Sequence, residues 1–573
     1  MAKGMIQEIK GAEALVRTLE AAGVKYLFGL SGTSVIEVLD ALVGHPKLQY
    51  ITGTHEGPVV AMADGYARAS GEVGVVNVHM FPGTANALGG IYNAQRDRVP
   101  IVVMCGEQDT RYSGRDGHTE TPDMVGLTRQ FTKWSWAVPN ADRLPEAIVR
   151  ALKTAAAPPR GPVYLAIPKN VLREPVRSAL PDPKAFHVAP RTDADPAAVE
   201  RAADLLLAAE RPVIVAGSGV VPAGAVAALV ELAETLGAAV VSEPYHAFIG
   251  FPTTHPLYFH DFMGVRPRSR PYGDAACDAV LAVESRVFME QFYPAEPAIP
   301  PSTTLIHMHT DPWEISKIYP AAAGLVADPR LGVQALLGAV RGRTTPERKR
   351  ACEARREAVA AARAAWARAE AERASRDWDA TPIKHWRLVK EMKAVLGDDV
   401  ILVNEATTAK TYVTGLFGLP KPEDYFEHSS AFLGWGIGAA CGVALARPGR
   451  RVALAIGDGC FNFGAQGLWS AARYRLPIFI IVFNNRGYIS TKSRLHNLEG
   501  LAARERTYLG SDIIDPPVDF VHMGQSVAIP GRRVERPAEL RPALEWGAAQ
   551  AGAAIVDVLL DPNETGWYTP PMP

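Results

Sequence analysis

Cysteine is scarce in this chain, and the residues that occur are widely separated. The 573 residues contain only Cys105, Cys277, Cys352, Cys441 and Cys460, with no Cys-x-x-Cys spacing among them. An odd number of scattered cysteines argues against both a zinc site and a disulfide framework. We therefore expect these residues to be small, buried hydrophobic side chains.

Net charge and long apolar runs are also lacking. The chain has 60 Lys and Arg against 61 Asp and Glu, a formal net charge of −1, so nothing favours nucleic acid or a membrane surface as a partner. No apolar run is long enough to span a bilayer, and residues 1–10 lack the apolar core of a signal peptide. We expect a cytoplasmic protein that binds neither nucleic acid nor membrane.

Length and pattern predict an α/β protein with three domains. A chain of 573 residues is too long for a single core. Helical patterns alternate with short, continuously apolar strands, as in parallel sheets that are covered on both faces. The predicted fold is three doubly wound parallel-sheet domains at residues 1–180, 190–342 and 381–573, with a linker helix at 343–380.

The segment 457–485 has the pattern of half a diphosphate site. An apolar strand ends at Gly457-Asp458-Gly459, where small residues let the backbone approach a ligand. A helix predicted over 464–474 directs its unpaired amides to the same sheet edge, and a second apolar strand delivers Asn484 and Asn485. Carboxylate, amide and backbone oxygens suit Mg2+ or Ca2+. The alternative is an ordinary strand, turn and helix with no ligand.

A second segment supports the ligand-binding interpretation. Glu56, at the end of an early strand, opens a helix predicted over 57–69. A lone Glu there is explained by the helix dipole, which favours acidic residues in the first turn. The pair of His55 and Glu56, followed by the run 63–71, is more specific, and it precedes Asp458 by about 400 residues.

Together, the two segments resemble the thiamin diphosphate (ThDP) fingerprint of 2-oxoacid decarboxylases and acetolactate-synthase-like enzymes. The resemblance implies that Asp458 and Asn485 bind Mg2+ through their side chains and Gly487 through its backbone oxygen. It also implies that Glu56 hydrogen-bonds to the aminopyrimidine ring. The cofactor's own amino group removes the thiazolium C2 proton, and a carboxyl group that shares a proton with the ring assists it.

Further cofactor contacts follow from the same resemblance. Leu433 matches the bulky residue that holds the cofactor in its bent conformation, although a Leu packed in a glycine-rich helix requires no cofactor. The other matching positions are the loop residues that follow a predicted strand at 400–403 and the residues of the glycine turn: Asn404, Thr407, Thr408, Gly457, Gly459 and Cys460.

The residues expected to contact the substrate resemble those of benzoylformate decarboxylase most closely. His79 ends a buried strand before residues 80–90, which are predicted to be a glycine-rich turn that runs into a helix, and the corresponding histidine of that family faces the substrate. Thr33 matches its substrate-binding serine, although residues 31–34 could equally form a helix cap. His118 lies in a polar loop near the expected substrate entrance. Gln291 falls where the family has a second histidine, a departure that puts proton transfer to the intermediate in doubt.

The middle domain carries a weak nucleotide signal. Gly217 and Gly219 follow a predicted strand without a third glycine, so FAD or ADP is possible there but is not favoured.

The resemblance predicts non-oxidative decarboxylation of a 2-oxoacid to an aldehyde through the C2 ylide of ThDP and an enamine. The alternative is a carboligase or lyase of 2-hydroxyketones or 2-hydroxyacyl products, as in acetolactate synthase or benzaldehyde lyase. A catalytically silent regulatory relative is a remote alternative, because Glu56, Asp458 and Asn485 are all retained. Since the family builds each site from two chains, we expect a homodimer or homotetramer with shared active sites.

Overall fold

The protein contains three parallel β-sheets, as the sequence predicts. The structure is a computed structural model that describes residues 9–186, 188–189, 191–260, 271–272, 275–289 and 297–566. Sheets of six, five and six strands follow one another along the chain, and all strand pairs within them are parallel. Helices connect the strands and cover the sheets, which confirms the predicted fold class.

The first sheet has the strand order β3-β2-β4-β5-β7-β6, and β1 forms a short antiparallel pair with β8. The strands are β1 (Ile9–Lys10), β2 (Tyr26–Gly29), β3 (Gln49–Thr52), β4 (Gly74–His79), β5 (Ile101–Glu107), β6 (Trp134–Ala137), β7 (Val163–Pro168) and β8 (Pro175–Val176). The helices are α1 (Gly11–Ala21), α2 (Ile36–Leu42), α3 (Glu56–Ser70), α4 (Met80–Arg96), α5 (Met124–Arg129), α6 (Leu144–Ala156) and α7 (Lys169–Arg173).

The middle sheet has the order β10-β9-β11-β12-β13, so the winding direction reverses between β9 and β11. Its strands are β9 (Pro212–Ala216), β10 (Ala239–Ser242), β11 (Ala279–Val283), β12 (Thr304–His309) and β13 (Ala323–Val326). The helices are α8 (Pro196–Ala208), α9 (Val226–Leu236), α10 (Pro329–Arg343) and α11 (Pro346–Ser375), the last being the helix predicted as a linker.

The third sheet has the order β15-β14-β16-β17-β19-β18, which is the winding of the first sheet repeated. Its strands are β14 (Ile401–Glu405), β15 (Tyr425–Phe426), β16 (Val452–Gly457), β17 (Ile478–Asn484), β18 (Gly531–Val534) and β19 (Ala554–Leu559). Its helices are α12 (His385–Leu396), α13 (Lys410–Leu416), α14 (Gly436–Ala446), α15 (Asp458–Gly464), α16 (Gly467–Arg473), α17 (Ile489–Asn497), α18 (Leu501–Arg504), α19 (Phe520–Gln525) and α20 (Pro537–Ala549).

Helices α3 and α14 join the first and third domains within one chain. A Cβ atom at Gly442 would lie 1.9 Å from the carbonyl oxygen of Met62, so only glycine permits this approach. The indole N–H of Trp435 donates to Oδ1 of the buried Asp64 at 2.7 Å. Because Glu56 begins α3, this packing fixes the position of a predicted catalytic residue relative to the third domain.

The starts of two helices differ from the sequence prediction. Helix α4 begins at Met80, directly after β4, without the turn that is predicted to precede it; Met80 takes a φ of 47° to make this junction. The helix predicted over 464–474 is present as α16, and a further helix that the sequence does not predict, α15, precedes it and begins at Asp458. The unpaired helix amides at the predicted diphosphate site are therefore those at the start of α15.

The cysteine prediction is confirmed, since all five thiols are free and buried. Among the helices of the described residues, none is both long enough and apolar enough to cross a membrane.

Candidate active site

Asp458 lies where β16 ends and α15 begins, and it is 3% exposed. Its Oδ1 accepts a hydrogen bond from the Gly459 amide at 2.8 Å, and its Oδ2 accepts one from the Gly487 amide at 2.9 Å. Burial nevertheless raises the pKa of Asp458 to about 7, because the amides offset only part of the desolvation. A carboxylate in this position is stabilised by a cation.

Asn485 provides a second oxygen beside Asp458. Its side chain is buried, and within the described part of the chain its Oδ1 makes no hydrogen bond. A buried amide oxygen without a partner is costly unless a ligand or water satisfies it. The preceding Asn484 is satisfied internally, since its Nδ2 donates to Asp557 at 2.9 Å and its Oδ1 accepts from the Arg486 amide at 3.2 Å.

These oxygens fit a hard divalent cation. Asp458 and Asn485 offer side-chain oxygens, and Gly487, which is also buried, adds a backbone carbonyl. Within the described ranges, no three His, Cys, Asp or Glu side chains form a group that could hold a metal ion. A metal at this position would therefore need the amide and backbone oxygens that the sequence predicts.

The glycine turn is closely packed against the neighbouring loops. A Cβ atom at Gly459 would lie 2.5 Å from Cε1 of Tyr488. The buried thiol of Cys460 lies 3.4 Å from Oγ1 of Thr407, which connects the turn to the loop after β14. Thr407 is exposed and Thr408 half-buried, so both can contact a ligand that lies on Gly457 and the start of α15.

Asn404, the fourth residue of β14, stabilises the loop after β14 through its side-chain hydrogen bonds. It is 1% exposed, and its Nδ2 donates to the Tyr425 hydroxyl at 2.9 Å. Its Oδ1 accepts from the Ala406 amide at 3.1 Å. These contacts position the backbone that carries Thr407 and Thr408.

Glu405 is a site residue for which the sequence analysis assigned no role. Its Oε1 accepts from the amides of Gly434 and Trp435 at 2.7 and 3.1 Å, and its Oε2 accepts from the Gly436 amide at 2.7 Å. The carboxylate thus satisfies amides at and before the start of α14. It thereby fixes the segment that presents the half-buried Leu433.

Glu56 occupies the first position of α3 and is 9% exposed. Its Oε2 accepts a hydrogen bond from Nδ2 of Asn86 at 3.0 Å. A Cβ atom at Gly83 would lie 3.0 Å from Oε1, so a glycine leaves room for the carboxyl group. The helix-dipole explanation remains compatible with this position, but the contact with Asn86 orients the carboxyl group in addition.

His79 ends β4 beside the same helix start. Its Nδ1 lies 2.7 Å from Oγ of Ser34. Burial lowers the pKa of His79, the charges of Lys169 and His118 lower it further, and Glu56 opposes them. The imidazole is therefore neutral at neutral pH, and the predicted residues Glu56, His79 and His118 lie within electrostatic reach of one another.

The other residues predicted to contact the substrate lie in different environments. Thr33 is exposed at the turn before α2, whereas the adjacent Ser34 is the hydroxyl that contacts His79. The helix-cap alternative is not seen, because the N-cap of α2 is Val35 and no side chain caps it. His118 is exposed, and its carbonyl accepts from Gln108 at 3.0 Å. Gln291 lies outside the described residues.

The crevice in the middle domain, at the carboxyl ends of β9 and β11, does not fit the diphosphate of FAD or ADP. Open α/β sheets bind nucleotides where the winding reverses, here at the ends of β9 and β11. The Ser218 amide and hydroxyl both donate to Oε1 of Glu243, at 2.7 and 2.6 Å, and the Arg286 amide donates to its Oε2 at 3.2 Å. A Cβ atom at Gly219 would lie 2.3 Å from Oε2 of Glu284. Carboxylates already hold the amides that a phosphate would need.

Comparison with known proteins agrees with this geometry. Three family models match the chain: the N-terminal TPP binding domain of thiamine pyrophosphate enzymes at residues 9–127, their central domain at 199–336 and their C-terminal TPP binding domain at 405–558. The benzoylformate decarboxylase of Pseudomonas aeruginosa is 30% identical over 94% of this chain and 97% of that enzyme. The probable acetolactate synthase large subunit of Methanocaldococcus jannaschii is 28% identical over 98% of this chain and 94% of that protein.

A solved structure leads to the same family. The thiamine diphosphate-dependent 4-hydroxybenzoylformate decarboxylase of Rhodococcus jostii superposes with a TM-score of 0.83 at 27% identity, covering 97% of this chain and 100% of that chain. The chain therefore belongs to the thiamine pyrophosphate enzymes and is a ThDP-dependent enzyme of the acetolactate synthase and benzoylformate decarboxylase type.

Proposed function

We propose that this enzyme decarboxylates a 2-oxoacid non-oxidatively and releases an aldehyde. The observation that carries the proposal is His79, which contacts Ser34 at 2.7 Å within electrostatic reach of Glu56 and whose lowered pKa makes its protonated ring a ready proton donor. An aldehyde forms only if a proton reaches the carbon that has lost CO2, and an imidazole near the reacting atoms can deliver it. The identity to benzoylformate decarboxylase supports the same reaction.

The residues present fit ThDP with Mg2+. Asp458 and Asn485 would hold the ion through their side chains and Gly487 through its carbonyl oxygen, because these are buried oxygens suited to a hard cation. Thr407 and Thr408 would contact the diphosphate, and Leu433 would support the bent cofactor. When bound, ThDP supplies a nucleophilic thiazolium carbon and an electron sink for the electrons left by CO2.

Glu56 would serve the pyrimidine end of the cofactor. A carboxyl group that shares a proton with the ring nitrogen favours the form whose amino group acts as a base. Asn86, which donates to Oε2 at 3.0 Å, leaves Oε1 for that contact. Asn86 would thus set the direction of the proton that Glu56 shares.

Carboligation is the second candidate. The identity to the acetolactate synthase relative extends over 98% of this chain, slightly more than the match to benzoylformate decarboxylase. In this case a second carbonyl compound would take the place of the proton delivered by His79. The two reactions share the cofactor site and differ only in the final acceptor.

We further propose a homodimer, or a pair of dimers, with shared active sites. Glu56 and Asp458 lie at the carboxyl edges of two different sheets, where open α/β sheets bind ligands. Large apolar side chains stand exposed beside both edges: Phe81 in the first turn of α4 is 41% exposed, and Phe463 in α15 is 56% exposed. A second copy that placed one edge against the other would cover these side chains and complete two equal sites.

Product analysis tests the proposed reaction. The protein is incubated with ThDP, Mg2+ and a panel of aromatic and aliphatic 2-oxoacids, and CO2, aldehyde and hydroxyketone are measured together. We expect CO2 and aldehyde in equal amounts. Hydroxyketone in place of aldehyde would support carboligation, and no CO2 release from any 2-oxoacid would contradict both candidates.

A further inference from the structure

Lys169 is a cationic residue at the substrate edge of the first sheet that the reaction described above does not use. It follows the last residue of β7 and begins α7, so it lies at the carboxyl edge of the sheet. Its side chain is half-buried. Among the residues that the structure describes, it forms no ion pair and no side-chain hydrogen bond.

The strand register places Lys169 beside His79. His79 pairs with Gly106 of β5, and Gly106 pairs with Ile167 of β7, so the three residues form a row across the sheet. Adjacent strands lie about 4.8 Å apart, which puts β4 and β7 about 10 Å from each other. Lys169 stands two positions beyond Ile167, as the first residue of α7, where the chain leaves this same edge of the sheet. Its flexible four-carbon stem can bring the ammonium group toward the imidazole.

The electrostatics agree with this placement. The positive charge of Lys169 is the largest charge effect on His79 and lowers the pKa of that imidazole. Glu107, one position beyond Gly106, belongs to the other face. Burial first, and then the like charges of Asp123 and Glu120, raise its pKa to about 7. The charges that shift the pKa of Glu107 are thus those of Asp123 and Glu120, whereas the charge of Lys169 acts on His79.

We propose that Lys169 binds the carboxylate of the 2-oxoacid substrate and is the residue that selects acids over uncharged carbonyl compounds. This assignment rests on the proposed function. A half-buried ammonium group without a protein partner is suited to a carboxylate, since a charge-assisted hydrogen bond in a partly desolvated site is stronger than one between neutral groups. The keto carbon of the same substrate would then lie between Lys169 and His79.

The carboxylate keeps its charge until CO2 departs, so Lys169 acts mainly on binding. An interaction made as strongly before the reaction as during it lowers KM without raising kcat. We expect Lys169→Met to raise KM for the best 2-oxoacid by about 10- to 100-fold, the range of one charge-assisted hydrogen bond, and to change kcat by less than about threefold. Lys169→Arg, which keeps the charge, should recover most of the lost affinity.

Two controls separate this role from a general loss of charge or structure. Lys47 is exposed just before β3, at the opposite edge of the same sheet, and Lys47→Met removes an equal charge there. Its KM should equal that of the native enzyme. ThDP affinity, measured by quenching of protein fluorescence, should be unchanged in all three variants. A weakened ThDP affinity in Lys169→Met alone would contradict a role confined to the substrate.

A second measurement does not depend on the affinity for the substrate. His79 is influenced by Lys169, His118 and Glu56 and contacts Ser34, so removal of the Lys169 charge should raise its pKa. Because His79 delivers its proton from the protonated ring after CO2 has left, the basic limb of the pH profile of kcat should move to higher pH in Lys169→Met and stay in place in Lys169→Arg. A limb that does not move in Lys169→Met would show that the ammonium group lies elsewhere.

The outcome for the native enzyme distinguishes the two levels of the proposal. If native holoenzyme decarboxylates 2-oxoacids and Lys169→Met keeps the native KM, the Lys169 assignment is wrong and the proposed function stands. If native holoenzyme releases no CO2 and gains no thermal stability from any 2-oxoacid, the proposed function itself fails. A KM increase in Lys169→Met that Lys169→Arg reverses supports both.

Discussion

Ser34 Oγ lies 2.7 Å from Nδ1 of His79, although 45 positions separate the two residues in the chain. The contact joins the turn after β2 to the end of β4, which are neighbouring strands. It restricts the imidazole ring to one orientation. A Cβ atom at Gly32 would lie 2.4 Å from Cγ of His79, so the same turn also provides the space that the ring occupies.

Ser34→Ala should lower kcat without weakening cofactor binding. Loss of one hydrogen bond worth about 0.5–1.5 kcal/mol corresponds to a decrease of about 2- to 10-fold, because His79 would no longer be held in place. Steady-state kinetics and a ThDP titration measure the two effects. Thr33→Ala is the matched variant: if it lowers kcat while Ser34→Ala does not, the hydroxyl that matters is that of Thr33.

The affinity for Mg2+ should increase with pH. Burial raises the pKa of Asp458 from 3.8 to about 7 in the metal-free protein, so below that value the proton competes with the metal. A carboxyl group with a raised pKa stabilises the metal-free fold most below its unfolded pKa, and this contribution is lost as pH rises through about 7. The increase in Tm caused by ThDP and Mg2+ should therefore grow between about pH 5.5 and 8.

The Asp458→Ala variant provides the control for that prediction. It removes a metal ligand, so ThDP and Mg2+ should no longer raise its Tm at any pH. A ligand-induced increase that is the same at every pH in the native protein, or that survives in Asp458→Ala, would contradict the role of Asp458.

Glu405→Gln should loosen the segment that carries Leu433. The carboxylate accepts three backbone amides at the start of α14, and an amide side chain has only one accepting oxygen. We expect a loss of about 0.5–2 kcal/mol in the free energy of unfolding, as for other helix N-terminal caps, together with weaker ThDP binding. Urea unfolding and fluorescence titration measure both. Glu423→Gln, an exposed substitution in the same domain, should change neither; equal effects in the two variants would exclude a specific role.

Mixing two inactive variants tests the shared active site. In a shared site, the dimer of one Glu56→Gln chain and one Asp458→Ala chain has both defects in one site and none in the other. Activity should therefore return after subunit exchange, with one functional site in each mixed dimer. If each chain builds its own site, every site keeps one defect, and mixing restores nothing. Light scattering during the assay establishes whether the active species is a dimer or larger.

The strands and the positions of the principal site residues could be predicted from the sequence. Buried parallel strands are continuous apolar runs, so the ends of β4, β16 and β17 are visible, and parallel strands bring their ends to one edge. His79, Asp458 and Asn485 stand at or just after the ends of such runs, and Glu56 follows the short strand β3 by four positions. The local pattern therefore placed them at sheet edges without knowledge of the tertiary contacts.

Contacts between distant segments could not be predicted. Ser34, Glu405 and Lys169 have ordinary local sequence contexts, and their importance follows only from neighbours on other strands or helices. The start of α4 was also missed, because glycines in the run 80–90 favour a turn locally, whereas packing against Glu56 and β5 keeps that run helical. Glu243 and Glu284 are likewise informative only once the winding of the middle sheet is known.

We infer that Glu56 makes the bound cofactor reactive. The most direct test is the rate at which the C2 proton of bound ThDP exchanges with deuterium, measured by quenched-flow NMR in native protein and in Glu56→Gln. The glutamine keeps the shape of the side chain but cannot share an acidic proton with the ring, so we expect exchange to slow by about 100-fold or more while ThDP and Mg2+ still bind. Exchange at the native rate in Glu56→Gln with the cofactor fully bound would contradict this role of Glu56.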